Sequence, residues 1–241
     1  IQTLLIKSLQ SIKRKEVNEM ISFSDAINVY TDASLTKVQG ITSTCAGFCT
    51  VYHGKMIDKG HQILYNTTNN FGEVYALYMG VQSLLRHAWM DTFLNLFSDS
   101  KITVDGLKYW INGWMKNMDS KGILYSTSGT KVANQEIFTS IIAMIARSGV
   151  HMQIWHILGH KNPNNYSDLM KSRDTFQREN GVRLSEDIIR EICTYNDYVD
   201  RMTRDKLLAE SDLRQYAAPR IAAKRVMNTN VVQVYQNMLS E

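Results

Sequence analysis

Ile27-Asn28-Val29-Tyr30-Thr31-Asp32 is a short run of β-branched and aromatic residues that ends on a carboxylate, and its reading as a strand organises what lies around it. Downstream, Cys45 to Tyr52, a turn at His53-Gly54-Lys55 and Met56 to Leu64 read as a hairpin. Thr67-Thr68-Asn69-Asn70 then supplies cap residues for a helix whose apolar stripe, Val74, Leu77, Tyr78, Val81, Leu84 and Leu85, follows helical spacing. Thr92 to Phe97 is a fourth strand, ending at Ser98-Asp99-Ser100. Helical pattern resumes across Val104 to Trp114 and from Val132 to Ala146, stopping at Gly149; Val150 to Leu158 is a fifth strand, followed by Gly159-His160. In Lys161 to Tyr195 one helix is expected, Ser185 to Ile192, with Ser185 as cap and Glu186-Asp187 in its first turn. Asn196 is expected to cap another, running to about Leu213, and a last helix from Ala217 to about Leu239 closes the chain. Three strands, a helix, a strand, helices, a strand and a final helix make an α/β fold, a mixed five-stranded sheet flanked by helices.

With 241 residues the chain accommodates one large domain, or one ordinary domain with extensions. Apolar residues make up 44% and charged residues 21%, enough for a normal core, and with 2 prolines and 13 glycines long disordered linkers are not expected. The net charge of +4 is compatible with a polyanionic partner without requiring one. Cys45, Cys49 and Cys193 form an odd count without zinc-like clustering; the first two, four apart in a strand, share a face as buried thiols. That usage fits a reducing, intracellular, cytoplasmic setting. No apolar run approaches the roughly 20 residues of a membrane span. Residues 1–25 open with a basic amphipathic helix, Leu4-Leu5-Ile6 through Leu9 and Ile12 with Lys7, Lys13, Arg14 and Lys15, which is expected to pack on the domain rather than act as a cleaved leader.

The chemistry lies in where the acids fall. Asp32 and Asp99 each end an apolar strand, at the sheet rim where α/β active sites collect. If those strands are parallel neighbours, their carboxylates lie about 5 Å apart. Glu73 opens the first helix on its inward stripe, one turn before Leu77. Asp200 is expected in the first turn of a late helix, on the face of Asp197, itself read as a first-turn acid favoured by the helix dipole. Taken singly, each acid is equally a helix cap or a solvated strand end. Several unpaired acids converging in one cleft repel, and a divalent cation is the usual remedy; oxygen donors select Mg²⁺ or Mn²⁺ over zinc.

Five motifs in order now carry a family resemblance. Val29-Tyr30-Thr31-Asp32-Ala33-Ser34 resembles the first strand motif of the type 1 ribonuclease H family, and Thr67-Thr68-Asn69-Asn70-Phe71-Gly72-Glu73 resembles its helix entry with the second acid. Ser98-Asp99-Ser100 is similar to its third acid motif, Ile157-Leu158-Gly159-His160 to its catalytic-histidine loop, and Asn196-Asp197-Tyr198-Val199-Asp200 to its closing helix. The resemblance spans about residues 27–208. It implies a ribonuclease H-like fold, with a domain over 26–212 and helical extensions at 1–25 and 213–241. Asp32, Glu73, Asp99 and Asp200 would be ligands for Mg²⁺, with Mn²⁺ as substitute, in a two-metal centre, and His160 would assist the leaving group. Two departures stand out: residues 161–195 separate His160 from Asn196 by more than the family usually has, as a lid or partner surface, and Gly72 weakens the helix entry slightly.

The same resemblance makes Thr68, Asn69 and Asn70 a grip on an RNA phosphate and 2′-hydroxyls, and Asn134, opening its helix, a second phosphate-pocket residue. Plain helix capping by these residues is compatible with binding. Between Lys101 and Lys131, basic residues including Lys108 and Lys116 interleave with Tyr109, Trp110 and Trp114. This resembles the family's handle for the DNA strand, although Trp110 and Trp114, four apart, equally suit packing of the handle on the domain. In the last helix, Arg214, Arg220, Lys224 and Arg225 form a basic face, either solvated or adding phosphate contacts. The expected activity is endonucleolytic hydrolysis of the RNA strand of RNA/DNA hybrids. The rivals are a DNA-directed nuclease or recombinase of the same superfamily and a non-catalytic hybrid-binding module; Thr67-Thr68-Asn69-Asn70 argues against the first and four intact ligand positions against the second. A protein partner is allowed for at residues 161–195 or the terminal helices.

Overall fold

A computed structural model describes residues 23, 25–38, 40–86, 93–148 and 150–216. Apart from Phe23 and Asp25, the amphipathic segment expected over 1–25 lies outside the described residues, as does the basic helix expected from Ala217. The strands are β1 (Ile27–Val38), β2 (Ile41–Tyr52), β3 (Lys55–Tyr65), β4 (Phe93–Ser98) and β5 (His151–His156). The helices are α1 (Asn69–Arg86), α2 (Lys101–Asp105), α3 (Ile111–Lys116), α4 (Gln135–Ser148), α5 (Tyr166–Asn180) and α6 (Glu186–Tyr216), with a π turn, Gly106–Trp110, joining α2 to α3. No helix among the described residues is long and apolar enough to cross a membrane.

The sheet order is β3-β2-β1-β4-β5. The β1–β2 and β2–β3 pairs are antiparallel; β1–β4 and β4–β5 are parallel. Alternation along the strands divides the core in two. Ile27, Val29, Leu94 and Leu96 belong to the cluster that α1 and α4 cover, whereas Tyr30, Cys49, Phe97 and Trp155 belong to the cluster under α5 and α6. Cys45 and Cys49, opposite Ser34 and Tyr30 in the register, are buried free thiols, as their spacing implied.

Several local expectations are corrected. Asp32 does not end its strand: β1 runs on to Val38, paired with β2, and Asp32 stands opposite Gly47. What ends there is the other neighbour, since the β1–β4 ladder stops at Thr31 opposite Ser98. Beyond that pair the sheet forks, leaving a gap beside Asp32. The helical run expected over Val104 to Trp114 begins at Lys101 and ends at Lys116. The helix expected from Val132 begins at Gln135; Asn134 precedes it with φ 57°, the left-handed conformation that asparagine tolerates.

Residues 161–195 hold a helix the periodicity did not show. The buried face of α5 is Leu169, Ser172, Thr175 and Phe176, so two small polar residues interrupt the apolar stripe. Its ends are conventional, with Asn165 accepting the Asp168 N–H and Gly181 closing the helix at φ 72°. The two helices expected on either side of Asn196 are one, α6, with Ser185 at its start and Glu186 and Asp187 in its first turn. Asn196 is therefore a buried mid-helix residue and not a cap, and Asp197 and Asp200 lie mid-helix. Asp197 turns to Arg201 in an i,i+4 ion pair at 2.8 Å and takes no part in the acidic cluster.

The first turn of α1 shows why glycine precedes Glu73. A Cβ on Gly72 would collide with Thr44 Cγ2 and lie 3.0 Å from Ala33 Cβ. Its absence lets the helix start touch β1 and β2, which outweighs the small loss of helix propensity. Gly72→Ala is therefore expected to overpack this contact and destabilise the fold by about 1–3 kcal/mol, measured by urea unfolding.

Candidate active site

The fork between β1 and β4 is reached from every layer. Asp32 projects from β1, Asp99 follows the last residue of β4, Glu73 comes from α1 on one face and Asp200 from α6 on the other. These four line one cleft of about 420 Å³, together with Asn69, His160 and Arg204. Among the described residues, Asp32, Glu73 and Asp99 each offer an oxygen, all within 4.8 Å of one another. Asp32 and Glu73 are buried. Asp200 shares the cleft but directs Oδ2 to His160 Nδ1 at 3.3 Å and to the Arg204 guanidinium at 3.0 Å.

Burial, followed by the charge of Asp99, pushes the Asp32 carboxyl up to about 7. Glu73 is raised well above the usual carboxylate range by burial and then by Asp32 and Asp99. Burial also raises Asp99, against an opposing pull from His160 and His156. Few hydrogen bonds relieve this crowding: Asp32 Oδ1 accepts the Ala33 N–H at 2.7 Å, and Asn69 donates to Glu73 Oε1 at 3.3 Å. Glu73 Oε2 is buried with no hydrogen-bond partner. An orphaned carboxylate oxygen in an all-oxygen donor set is what a hard divalent cation would satisfy.

The loop after β5 closes the site. A Cβ on Gly159 would collide with the Asp99 carboxylate, so glycine lets the loop backbone press on that side chain. His160, next in sequence, is exposed and held at φ 54°, reaching toward Asp200. Thr68 caps α1 by accepting the Phe71 N–H at 3.2 Å, and Thr68, Asn69 and Asn70 are exposed beside Glu73. Asn134 is half-buried before α4, its carbonyl accepting the Ile137 N–H at 3.0 Å.

In the handle the expected contacts divide. Tyr109, Trp110 and Lys116 are exposed. Trp114 packs edge-on against Phe138 at 5.3 Å, so it joins the handle to α4. Lys108 is half-buried, its ammonium 5.4 Å from the Trp155 ring centroid and 5.5 Å from that of the exposed Tyr109. Two residues in or against the site escaped the sequence reading. Arg204 was signalled only by its place four residues after Asp200, and His156, which contacts the Asp99 carbonyl, only by ending the strand before the Gly159-His160 loop.

The arrangement defines a class: an α/β protein with a crowded carboxylate cluster where the parallel β1–β4 ladder ends. The RNase H family model matches residues 24–174. A ribonuclease H of Haemophilus influenzae (strain 86-028NP) is 29% identical over 134 residues, 56% of this chain and 78% of that protein. One from Bartonella bacilliformis is 25% identical over 166 residues, 67% of this chain and 97% of its own. Among solved structures, a foamy viral protease-reverse transcriptase in complex with dsDNA is 14% identical, covering 62% of this chain and 94% of that one at a TM-score of 0.48. LC11-RNase H1 in complex with RNA/DNA hybrid is 16% identical, covering 54% and 85% at 0.38. The chain belongs to the RNase H family and is a hydrolase of that class.

The raised carboxyls fix a pH dependence. Because folded Asp32 holds its proton to about 7 against 3.8 for the ordinary group, the folded state binds more protons between those values, and stability falls as pH rises through that window. In EDTA, thermal melts are expected to show Tm falling from pH 5 to pH 8. Added Mg²⁺ should recover Tm most at the alkaline end; a Tm independent of both would contradict the crowding.

Proposed function

We propose that this chain is an endoribonuclease cutting the RNA strand of RNA/DNA hybrids, with Mg²⁺ as its ion and Mn²⁺ able to substitute. The observation that carries the reading is the crowded triple of Asp32, Glu73 and Asp99 with its orphaned Glu73 oxygen, inside the segment that matches the RNase H family. Those three and Asp200 would hold the metal, in the two-ion manner that clamps attacking and leaving oxygens of an in-line displacement. The chain's own groups supply the rest. Asn69 connects the exposed helix entry to Glu73 through its side-chain amide, so a group bound at Thr68, Asn69 and Asn70 is positioned relative to the acids. A 2′-hydroxyl there would distinguish RNA from DNA. His160, exposed at φ 54° and 3.3 Å from Asp200, would protonate a leaving oxygen. Asn134, at the start of α4, would add a second phosphate contact.

Asp99→Asn is expected to lower hybrid cleavage at least about 10³-fold while hybrid binding persists, whereas His160→Ala should lose about 10²-fold or less. Gel assays on matched RNA/DNA hybrid, duplex RNA and duplex DNA test the substrate; equal cleavage of duplex DNA favours the DNA-directed alternative, and binding without cleavage of any duplex favours a hybrid-holding module.

The handle contacts divide in the same test system. Trp110→Ala should weaken hybrid binding by about 1–3 kcal/mol with Tm unchanged, as for a base or sugar stacked on an aromatic ring. Trp114→Ala should lower Tm. Lys116→Gln should flatten the salt dependence by roughly 0.7–0.9 log units, and an unchanged slope would remove Lys116 from the interface.

A further inference from the structure

His156 and Glu179 form a pair to which the hydrolytic reading gives no task. His156 is the last residue of β5, and its ring is largely buried between two acceptors. Its Nε2 donates to the Asp99 carbonyl at 3.1 Å, and its Nδ1 meets the Glu179 carboxylate. A carbonyl only accepts, so Nε2 carries the hydrogen of that bond. The next residue of α5, Asn180, donates its side-chain amide to the His156 carbonyl at 2.9 Å. The end of α5 thus grips His156 by side chain and main chain at once.

The pair also contradicts local preference. Glu179 lies in the last turn of α5, where the helix dipole disfavours a carboxylate. Arg178 approaches it only to 3.9 Å, so the His156 ring is its closer partner. At the other end of the chain of contacts, the Asp99 carbonyl falls just outside the α2 ladder, which begins when Ser100 accepts the Val104 N–H at 3.0 Å. His156 Nε2 provides that carbonyl with a donor, and Ile157 N–H fixes the preceding carbonyl, that of Ser98, at 3.1 Å. Asp99 is therefore held from its backbone by β5 and α5, while its carboxylate is pressed by Gly159 and repelled by Asp32.

We propose that α5, through Glu179 and His156, is a brace that sets Asp99 for metal binding, making His156 and Glu179 positioning residues of the carboxylate centre. This rests on the reading of the cluster as a metal site. It gives residues 161–195 a task inside the molecule, where the sequence pointed to a lid or a partner surface. The carbonyl contact holds the backbone from which the Asp99 carboxylate projects, and loss of such outer contacts costs metal affinity about 10–100-fold.

The test uses the full chain and two readouts: Mn²⁺ binding by calorimetry without nucleic acid, and the Mg²⁺ dependence of hybrid cleavage. His156→Leu removes the donor; His156→Gln keeps an amide N–H able to reach the Asp99 carbonyl; Glu179→Gln keeps the shape but removes the charge that orients the ring. His156→Leu and Glu179→Gln are expected to weaken Mn²⁺ binding by about 10-fold or more. The loss should fall mainly on the Mg²⁺ half-saturation and less on the saturating rate. His156→Gln should recover most of the affinity. Wild-type Mn²⁺ affinity in Glu179→Gln, or no recovery in His156→Gln when its Tm matches wild type, would overturn the brace. A wild-type chain that binds no Mn²⁺ would instead overturn the metal reading itself, and the brace with it.

Discussion

Like charges brought together away from water repel with little screening, and this fold brings together three carboxylates whose oxygens lie within 4.8 Å. Two are buried and all three are pushed toward their protonated forms. Such an arrangement opposes folding, so it persists only because the rest of the molecule over-determines it. The surrounding sheet, two apolar clusters and close helix contacts supply the stability against which the crowding is set. A divalent cation is the usual remedy for such repulsion, which links the energetic cost of the cluster to the chemistry proposed for it.

The sheet creates the meeting place by ending one ladder while continuing another. β1 remains paired with β2 to Val38, but its pairing with β4 stops at Thr31. Where β4 leaves, space opens beside Asp32, and α1 and α6 reach it from opposite faces with Glu73 and Asp200. Glycine makes the approach close enough at the α1 entry, where Gly72 lies against Thr44 and Ala33, and Gly159 does the same for the loop on Asp99. Small residues here serve distance, not flexibility.

Much of this was legible along the chain. The period-two runs and the α1 stripe located the sheet and its first helix, and the acids at 32, 73 and 99 were recognisable from their flanks. Other parts were hidden for identifiable reasons. α5 buries Ser172 and Thr175 along with Leu169 and Phe176, so its inward face carries no continuous apolar signal. Asn196 looks like a cap because asparagine so often is one, yet it lies buried within the 31-residue α6. Lys108 looks like a free surface cation, but the π turn sets its ammonium between the Trp155 and Tyr109 rings.

The sequence by itself located the strands and the first helix around the site and made the four acids candidates through their flanks and the family resemblance, because periodicity and flanking residues are local properties. Only the tertiary structure decided which acids touch and which residues hold them. The fork beside Asp32 depends on where the β1–β4 ladder stops, and Asp200 comes to it through the placement of a helix more than a hundred residues away. Arg204 beside Asp200, and His156 between Glu179 and the Asp99 carbonyl, are contacts across layers. No periodicity encodes them, because hydrogen bonds between distant segments are fixed by packing and register rather than by neighbours in the chain.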